Sequence, residues 1–410
     1  MSGYQGKALK TRQEYALNVK AHIGINLERG RKTLSEKLRY PKREYNALSL
    51  FSGGGGLDLG AEAAGFTTRV CIDNDKACCE TLETNKDFPR GSEKHFLAKA
   101  KILCRDIQHL SAKEILANAN IEKSEIDLIY GGPPCQAFSI FGRRKGMEDP
   151  RGPLLLDYVR IVHDLQPKVF VLENVPGLET VGGGKIYNDL VDLLKKETNG
   201  GKFDVKPFVS DVCDYGVPQR RKRIIIIGSR LEVPITIPPS THGPRENIGT
   251  YVGDILPYNT VGDALKGLPQ VNSDKVPNHK TRTHSERIKQ RYAQLAFGER
   301  DSKTRINKLD PNKPSFTIIV GSEHGGGKGH VHPYEAREVT PRESARIQTF
   351  PDDWSFSGSK RNVIRQVGNA VPPVFAAQLF AHILKKQFRE KNVPDVDDLF
   401  RILGQEHLKH

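Results

Sequence analysis

The sequence predicts an α/β fold: a mostly parallel sheet covered by helices on both faces. Three observations carry this. Short β-rich runs alternate with helical stretches from residue 45 to residue 230; the strand runs are almost continuously apolar; and a glycine-rich turn joins the first strand to the first helix. The strand runs are ALSLF (47–51), RVCID (69–73), IDLIY (126–130), KVFVLEN (168–174), KPFVSD (206–211) and RIIIIG (223–228). Helices are expected at 57–65, 75–85, 154–165 and 185–197. Residues 1–44 form a basic extension, eleven Lys and Arg against four Glu, with short helices expected between 11 and 39. After Arg230 the alternation stops, and turn-rich stretches such as PPSTHGPRENIGT leave one clear helical segment, 284–297. Order returns with a strand at SFTIIV, a helix beginning in TPRESARIQTF and a last long helix over 373–390. The chain thus divides into 1–44, a first α/β part over 45–230, a smaller irregular domain over 231–333, a return to the first domain over 334–391, and a tail over 392–410.

Composition narrows the function classes. The 410 residues are long enough for two or three domains. No uninterrupted apolar run approaches the roughly 18 residues that cross a bilayer, and the first residues lack the apolar stretch of a secretory signal, so the expectation is a cytoplasmic protein with no membrane partner. Lys and Arg number 63 against 49 Asp and Glu, a net +14 that favours a polyanion such as nucleic acid. Six cysteines stand at 71, 78, 79, 104, 135 and 213 with no C-x-x-C pair, which argues against a structural zinc site and predicts no metal.

Chemistry concentrates where strands end. LFSGGGGLDLG (50–60) lets the backbone approach a ligand at the carboxyl end of the first strand. Such turns serve dinucleotides, phosphates, S-adenosylmethionine, or no ligand at all. Asp73 ends the second strand, where an acid can take a ribose diol, and Asp106 follows a short apolar segment within reach of an adenine amino group. In GGPPCQAFS (131–139), two glycines turn the chain and two prolines stiffen it just before Cys135. That thiol is either a passive filler or a nucleophile needing activation, since only a few per cent of a free thiol is ionised at neutral pH. Glu173 directly follows VFVL and so belongs at the same edge, where partial desolvation raises a carboxyl pKa and fits it to donate a proton. In PQRRKRIIIIG, Arg221 and Arg223 stand two apart at a strand entrance, on one face, and suit a phosphate or a base oxygen.

Taken in order, FSGGGGLDLG, Asp73, Asp106, PPCQAFS, ENV, Gln219-x-Arg221-x-Arg223, RESARIQTFPDDW (342–354) and QVGNAVPP (366–373) resemble the cytosine-5 DNA methyltransferase family of bacterial restriction–modification systems. The resemblance covers about 45–230 and 333–390. It implies a Rossmann-like S-adenosylmethionine-dependent methyltransferase fold with a smaller target-recognition domain over 231–333. It implies that Cys135 attacks carbon 6 of a flipped-out cytosine, that Glu173 engages ring N3, and that Arg223, with Arg221, binds the base oxygen or nearby backbone. S-adenosylmethionine is then held by Phe51, Ser52, Gly53, Gly55, Gly56, Leu57, Asp73, Asn74, Asp106, Ile107, Pro133, Asn369 and Val371. Gln136, Ser139, Arg143, Arg144 and Lys145 fall on a loop that closes over double-stranded DNA. Arg282, Arg287, Lys289 and Arg291 in the irregular domain read either as contacts to phosphates or guanine edges or, as the commoner case, as plain surface charge. A cognate restriction endonuclease and a monomeric enzyme complete the expectation. The alternatives are a transfer-RNA methyltransferase, whose branch usually carries a Cys-Phe-Thr tripeptide that does not occur here, and a catalytically dead DNA-binding regulator. A nicotinamide dehydrogenase accounts for the glycine loop but not for PPCQ, ENV and Q-x-R-x-R together.

Overall fold

The computed structural model describes residues 39–86, 88–90, 94–134, 153–198, 201–244, 255–318 and 329–408. The helices expected between 11 and 38 lie outside them. Seven strands form the central sheet: β1 (Tyr45–Leu50), β2 (Phe66–Asp73), β3 (Lys101–Cys104), β4 (Ile126–Gly131), β5 (Val169–Asn174), β6 (Asp204–Asp211) and β7 (Lys222–Ser229). Their order is β3-β2-β1-β4-β5-β7-β6. The first five run parallel, whereas β7 is antiparallel to both β5 and β6. Every residue of β1, β4 and β5 is buried, which is why these runs read as continuously apolar rather than alternating.

Two apolar layers flank the sheet. One is built from α3 (Ala112–Ala119), α4 (Pro153–Leu165) and α5 (Lys185–Lys195), which pack Ile115, Tyr158, Ile161, Leu165 and Leu194 onto Leu48, Ile129 and Phe170. The other holds α1 (Gly56–Ala64) and α2 (Lys76–Thr84) together with distal helices. These are α6 (Val261–Leu265), α8 (Pro341–Ile347), α9 (Lys360–Asn369), α10 (Pro373–Lys386) and α11 (Val396–Ile402); α7 (Glu286–Gln294) stands apart from them. Helix α10 approaches α1 so closely that a Cβ on Gly60 would lie 2.3 Å from Cβ of Ala376. The stretch Lys360–Lys386 is long and apolar enough over a sliding window to cross a membrane, but it is interrupted at Ala370–Pro372 and is 83% buried as a core element.

Three expectations need correction. SFTIIV forms no strand among the described residues: Ser315 makes only an isolated bridge to Gln219, and residues 319 and 320 lie outside the description. The 392–410 segment is no loose tail over its described part. Leu399, Phe400, Ile402, Leu403 and Leu408 enter the main core, where His242 stacks on the Phe400 ring at 6.2 Å. The irregular 231–333 segment also lacks a fully separate core. Ile235, Val261, Leu265, Leu268 and Leu309 share the main apolar layer, and only Tyr292, Ile306 and Val331 form a satellite cluster. Arg282, Lys289 and Arg291 pair with Glu338, Glu286 and Asp301 respectively.

Because Phe400 is fully buried in this shared layer, Phe400→Ala is expected to destabilise the protein by about 3–5 kcal/mol in urea unfolding. A loss below about 1 kcal/mol would mean that the terminal helix does not belong to the core.

Candidate active site

Strand direction assembles the site. In a parallel sheet the carboxyl ends of β1, β2, β4 and β5 share one edge, so the glycine loop, Asp73, the Gly132–Pro134 segment and Glu173 converge there. Strand β7 runs the other way, and therefore delivers its entrance, not its exit, to the same edge. Asn174 pairs with Ile224, so Arg223 and Arg221 emerge beside the end of β5.

Glu173 and Arg223 meet as a close ion pair, Oε1 to Nε 2.7 Å, with the residues only 8% and 9% exposed. Burial raises the Glu173 pKa above the usual carboxylate value, against the pull of the Arg223 and Arg221 guanidinium groups. The other carboxylate oxygen faces the segment after β4: a Cβ on Gly132 would lie 2.7 Å from Oε2. Only glycine lets the chain pass that close. Asn174 clamps the same segment by donating from Nδ2 to the Pro133 carbonyl at 3.1 Å, and its Oδ1 accepts from the Val175 N–H. Cys135 follows two residues after Pro133. Cys135, Gln136, Ser139, Arg143, Arg144 and Lys145 lie outside the described residues.

Arg221 sits differently from Arg223. It is 2% exposed, donates from Nη2 to the Gly368 carbonyl at 2.8 Å, and its backbone N–H is taken by Asp211. Burial, then repulsion by Arg223, pushes its pKa down to about 9 against the attraction of Glu173.

At the glycine loop, Phe51 takes a left-handed backbone (φ 57°) and is half-buried against the apolar layer of α3 to α5. Gly53 and Gly55 are left-handed as well, φ 57° and 87°. Asp73 braces the loop: Oδ2 accepts from the Gly53 N–H and Oδ1 from the Asp75 N–H, both at 2.8 Å, while burial raises its pKa. Ser52 is buried, its hydroxyl 2.8 Å from that of Ser49. Asp106 is half-buried and caps a short 3-10 turn through Gln108, and Asn74 is exposed. Leu57, Ile107 and Val371 bury their side chains in the core, so any contact they offer a ligand is made by backbone. Asn369 is exposed at the end of α9, in the turn that leads to Val371, whose carbonyl abuts Gly56: a Cβ there would lie 2.1 Å from it. The N and C halves of the predicted cofactor set therefore meet.

The residues present fit a nucleoside-sulfonium ligand better than a dinucleotide. The glycine turn leaves room for close backbone approach. Asp73, Asp75 and Asp106 supply carboxylates, and the nearby guanidinium of Arg365 is paired with Asp75 rather than offered to a phosphate. When bound, S-adenosylmethionine would be held by the 51–57 loop, Asp73, Asp106 and the 369–371 turn.

Sequence reasoning left several supports without a role. Trp354, fully buried, donates its indole N–H to the Gly54 carbonyl, and its ring would be 2.8 Å from a Cβ on Gly55. Arg342 holds the 351–354 turn by donating to the Pro351 and Trp354 carbonyls. Gln348 donates to the Val367 and Ala370 carbonyls and accepts from Gln219. All three fall in the 342–354 stretch that carries the resemblance, but nothing in the sequence pointed to their partners, which for Trp354 and Gln348 are far off in the chain.

Behind the loop, Asp58 is fully buried and accepts from Tyr130 Oη at 3.0 Å and Cys71 Sγ at 3.3 Å. Burial, outweighing these hydrogen bonds, pushes its pKa up to about 6. Between the unfolded value, near 4, and 6 the folded state holds a proton that the unfolded state releases. This contribution is therefore full below pH 4 and is lost as pH rises through 6. The stability advantage of wild type over Asp58→Asn should fall by roughly 2.5 kcal/mol from pH 4 to pH 7, read from urea unfolding at both. A pH-independent difference would mean Asp58 titrates normally.

Comparison with known proteins agrees with this geometry. Residues 45–385 match the family described as C-5 cytosine-specific DNA methylase. The type II methyltransferase M.XorII of Xanthomonas oryzae pv. oryzae is 32% identical over 381 residues, covering 85% of this chain and 86% of that protein. M.NgoFVII of Neisseria gonorrhoeae, also a type II methyltransferase, is 34% identical over 375 residues, covering 86% and 92%. Among solved structures, a prophage-encoded Escherichia coli protein described as a DNA modification methyltransferase superposes with a TM-score of 0.66 at 28% identity, over 84% of this chain and 100% of that one. The Schizosaccharomyces pombe Dnmt2 methyltransferase shares the fold at TM-score 0.55 and 16% identity. The chain belongs to the C-5 cytosine-specific DNA methylase family and is a DNA cytosine-5 methyltransferase of the type II restriction–modification kind.

Proposed function

We propose that this enzyme methylates carbon 5 of a cytosine turned out of a specific double-stranded DNA sequence, through a covalent adduct with Cys135 and with S-adenosylmethionine as donor. The observation that carries the reading is the buried Glu173–Arg223 pair, set directly against the Gly132–Pro134 segment that leads into Cys135. A base stacked in a duplex hides its ring faces, and extrusion costs a few kcal/mol. The Cys135 thiolate forms the S–C6 bond. Glu173, whose burial favours taking up a proton from its ion-paired form, donates that proton to ring N3, so the electron pair displaced from the C5–C6 double bond is held and carbon 5 becomes nucleophilic. Arg223 fixes the carboxyl and offers its remaining donors toward the base oxygen. When bound, S-adenosylmethionine supplies the electrophilic methyl that carbon 5 takes. Transfer of the C5 proton to water then lets the electron pair of that C–H bond re-form the C5–C6 double bond and expel the Cys135 thiolate. N3 returns its proton to Glu173, which restores the ring.

The net +14 charge supports a DNA partner, with Gln136, Ser139, Arg143, Arg144 and Lys145 closing over it and 231–333 reading the sequence. A cognate endonuclease, a cytoplasmic location and a monomeric state complete the reading. Cys135, Glu173 and Arg223 are all present, which weighs against a dead DNA-binding regulator.

DNA carrying 5-fluorocytosine at the target should trap wild type in a stable adduct that Cys135→Ser does not form, and Glu173→Gln should lower kcat by about 10²- to 10⁴-fold. No adduct with wild type would favour the regulator. Bisulfite sequencing of plasmid from cells expressing the chain should place modified cytosine in one sequence context. Label from S-adenosylmethionine entering only transfer RNA would overturn the choice of substrate.

A further inference from the structure

Arg221 and Gln348 point to an assignment that the family motif does not make. The turn that carries Asn369 presents a row of carbonyls into the protein, and each is met by a fixed donor. Gly368 takes Nη2 of Arg221 at 2.8 Å, while Val367 and Ala370 take Nε2 of Gln348 at 2.7 and 3.3 Å. Gln348 is itself held, its Oε1 accepting from Nε2 of Gln219 at 2.9 Å, and Gln219 Oε1 accepts from the Ile318 N–H. Arg221, Gln219 and Gln348 are each at most 2% exposed. Nη2 of Arg221 and Nε2 of Gln348 therefore end on backbone, and a guanidinium sealed behind the turn is out of reach of a base at the surface. On its outer side the turn rests on the glycine loop: a Cβ on Gly56 would meet the Val371 carbonyl at 2.1 Å, and one on Gly54 the Gln366 Cβ at 3.2 Å.

We propose that Arg221 and Gln348 are positioning residues for the methyl donor rather than contacts to the target base. They hold the 367–371 turn against the glycine loop, and they fix it to the entrance of the strand whose Arg223 faces Glu173. The expectation that Arg221 binds the base alongside Arg223 is replaced by a division of labour along one strand. Arg223 serves the base, and Arg221 serves the cofactor wall. This rests on the reading of the glycine loop as the S-adenosylmethionine site.

The test is direct binding on the full-length protein, with no turnover required. Dissociation constants for S-adenosylmethionine, by equilibrium dialysis, and for a hemimethylated duplex, by anisotropy, are compared for wild type, Arg221→Met, Arg221→Lys and Gln348→Met. Losing a charged hydrogen bond to a buried carbonyl should weaken S-adenosylmethionine about tenfold to a hundredfold in Arg221→Met. Arg221→Lys, which keeps a cation and a donor, should fall between, and Gln348→Met should repeat the pattern. Duplex affinity should stay within about threefold of wild type. A merely structural role would lower both affinities together. If Arg221→Met does not fold, Arg221→Lys and Gln348→Met decide the matter. Cofactor affinity unchanged in the folded variants, or cofactor and duplex affinity falling in parallel, overturns the inference while leaving the active-site reading intact. A wild type that binds no S-adenosylmethionine overturns both.

Discussion

A carboxylate and a guanidinium, both nearly closed off from water, meet at the edge of the sheet where Glu173 ends β5 and Arg223 enters β7. Removing two charges from water is costly, and such a pair often stabilises less than an apolar pair of the same volume. Its persistence here follows from geometry. The antiparallel β7 has no other way to bring a cation to the carboxyl edge, and the glycine at 132 exists to let the preceding strand's exit pass against the acid. The pair thus fixes the distance between three chain segments whose sequence separations run from about 40 to 90 residues.

The same edge is closed from the far end of the chain. Trp354 ties its indole to the glycine loop, Arg342 shapes the turn that presents Trp354, and Gln348 with Arg221 secures the 367–371 turn. These donors all end on backbone carbonyls. Backbone acceptors do not change with side-chain identity, so a wall built this way keeps its shape while exposed residues such as Asn369 are free to meet a ligand. Buried polar groups of this kind are expensive if left unpaired, which makes the wall rigid once formed.

The 231–333 segment is less independent than its irregular sequence implies. Its first half shares the main apolar layer through Ile235, Val261 and Leu265, and only Tyr292, Ile306 and Val331 gather on their own. At its return, Arg337 forks onto Glu343, the capping-box partner of Thr340 at the start of α8. Against its burial, the Arg337 hydrogen bonds and the nearby His332 pull the Glu343 pKa down to about 2, and burial pushes the His332 pKa down to about 4. That junction welds the segment to the helix which carries the motif holding the cofactor wall.

Periodicity and turn chemistry determined much by themselves. The continuous apolar runs of β1, β4 and β5 announced a doubly covered sheet because both of their faces are buried, and the positions of Asp73 and Glu173 followed from where the runs of β2 and β5 stop. The bounds of α1, α2, α4 and α5 were legible within a residue or two from their caps and stripes. Only the tertiary structure decided what Arg221 does. A strand alternation of two puts it on the same face as Arg223, but whether that face meets solvent or a carbonyl 147 positions away depends on a turn that the local sequence does not encode. Phe400 was silent for the same reason, and Trp354, though inside the 342–354 stretch, did not announce its partner. A side chain's burial is set by what packs over it: His242 stacks on Phe400, and the glycine loop lies against Trp354.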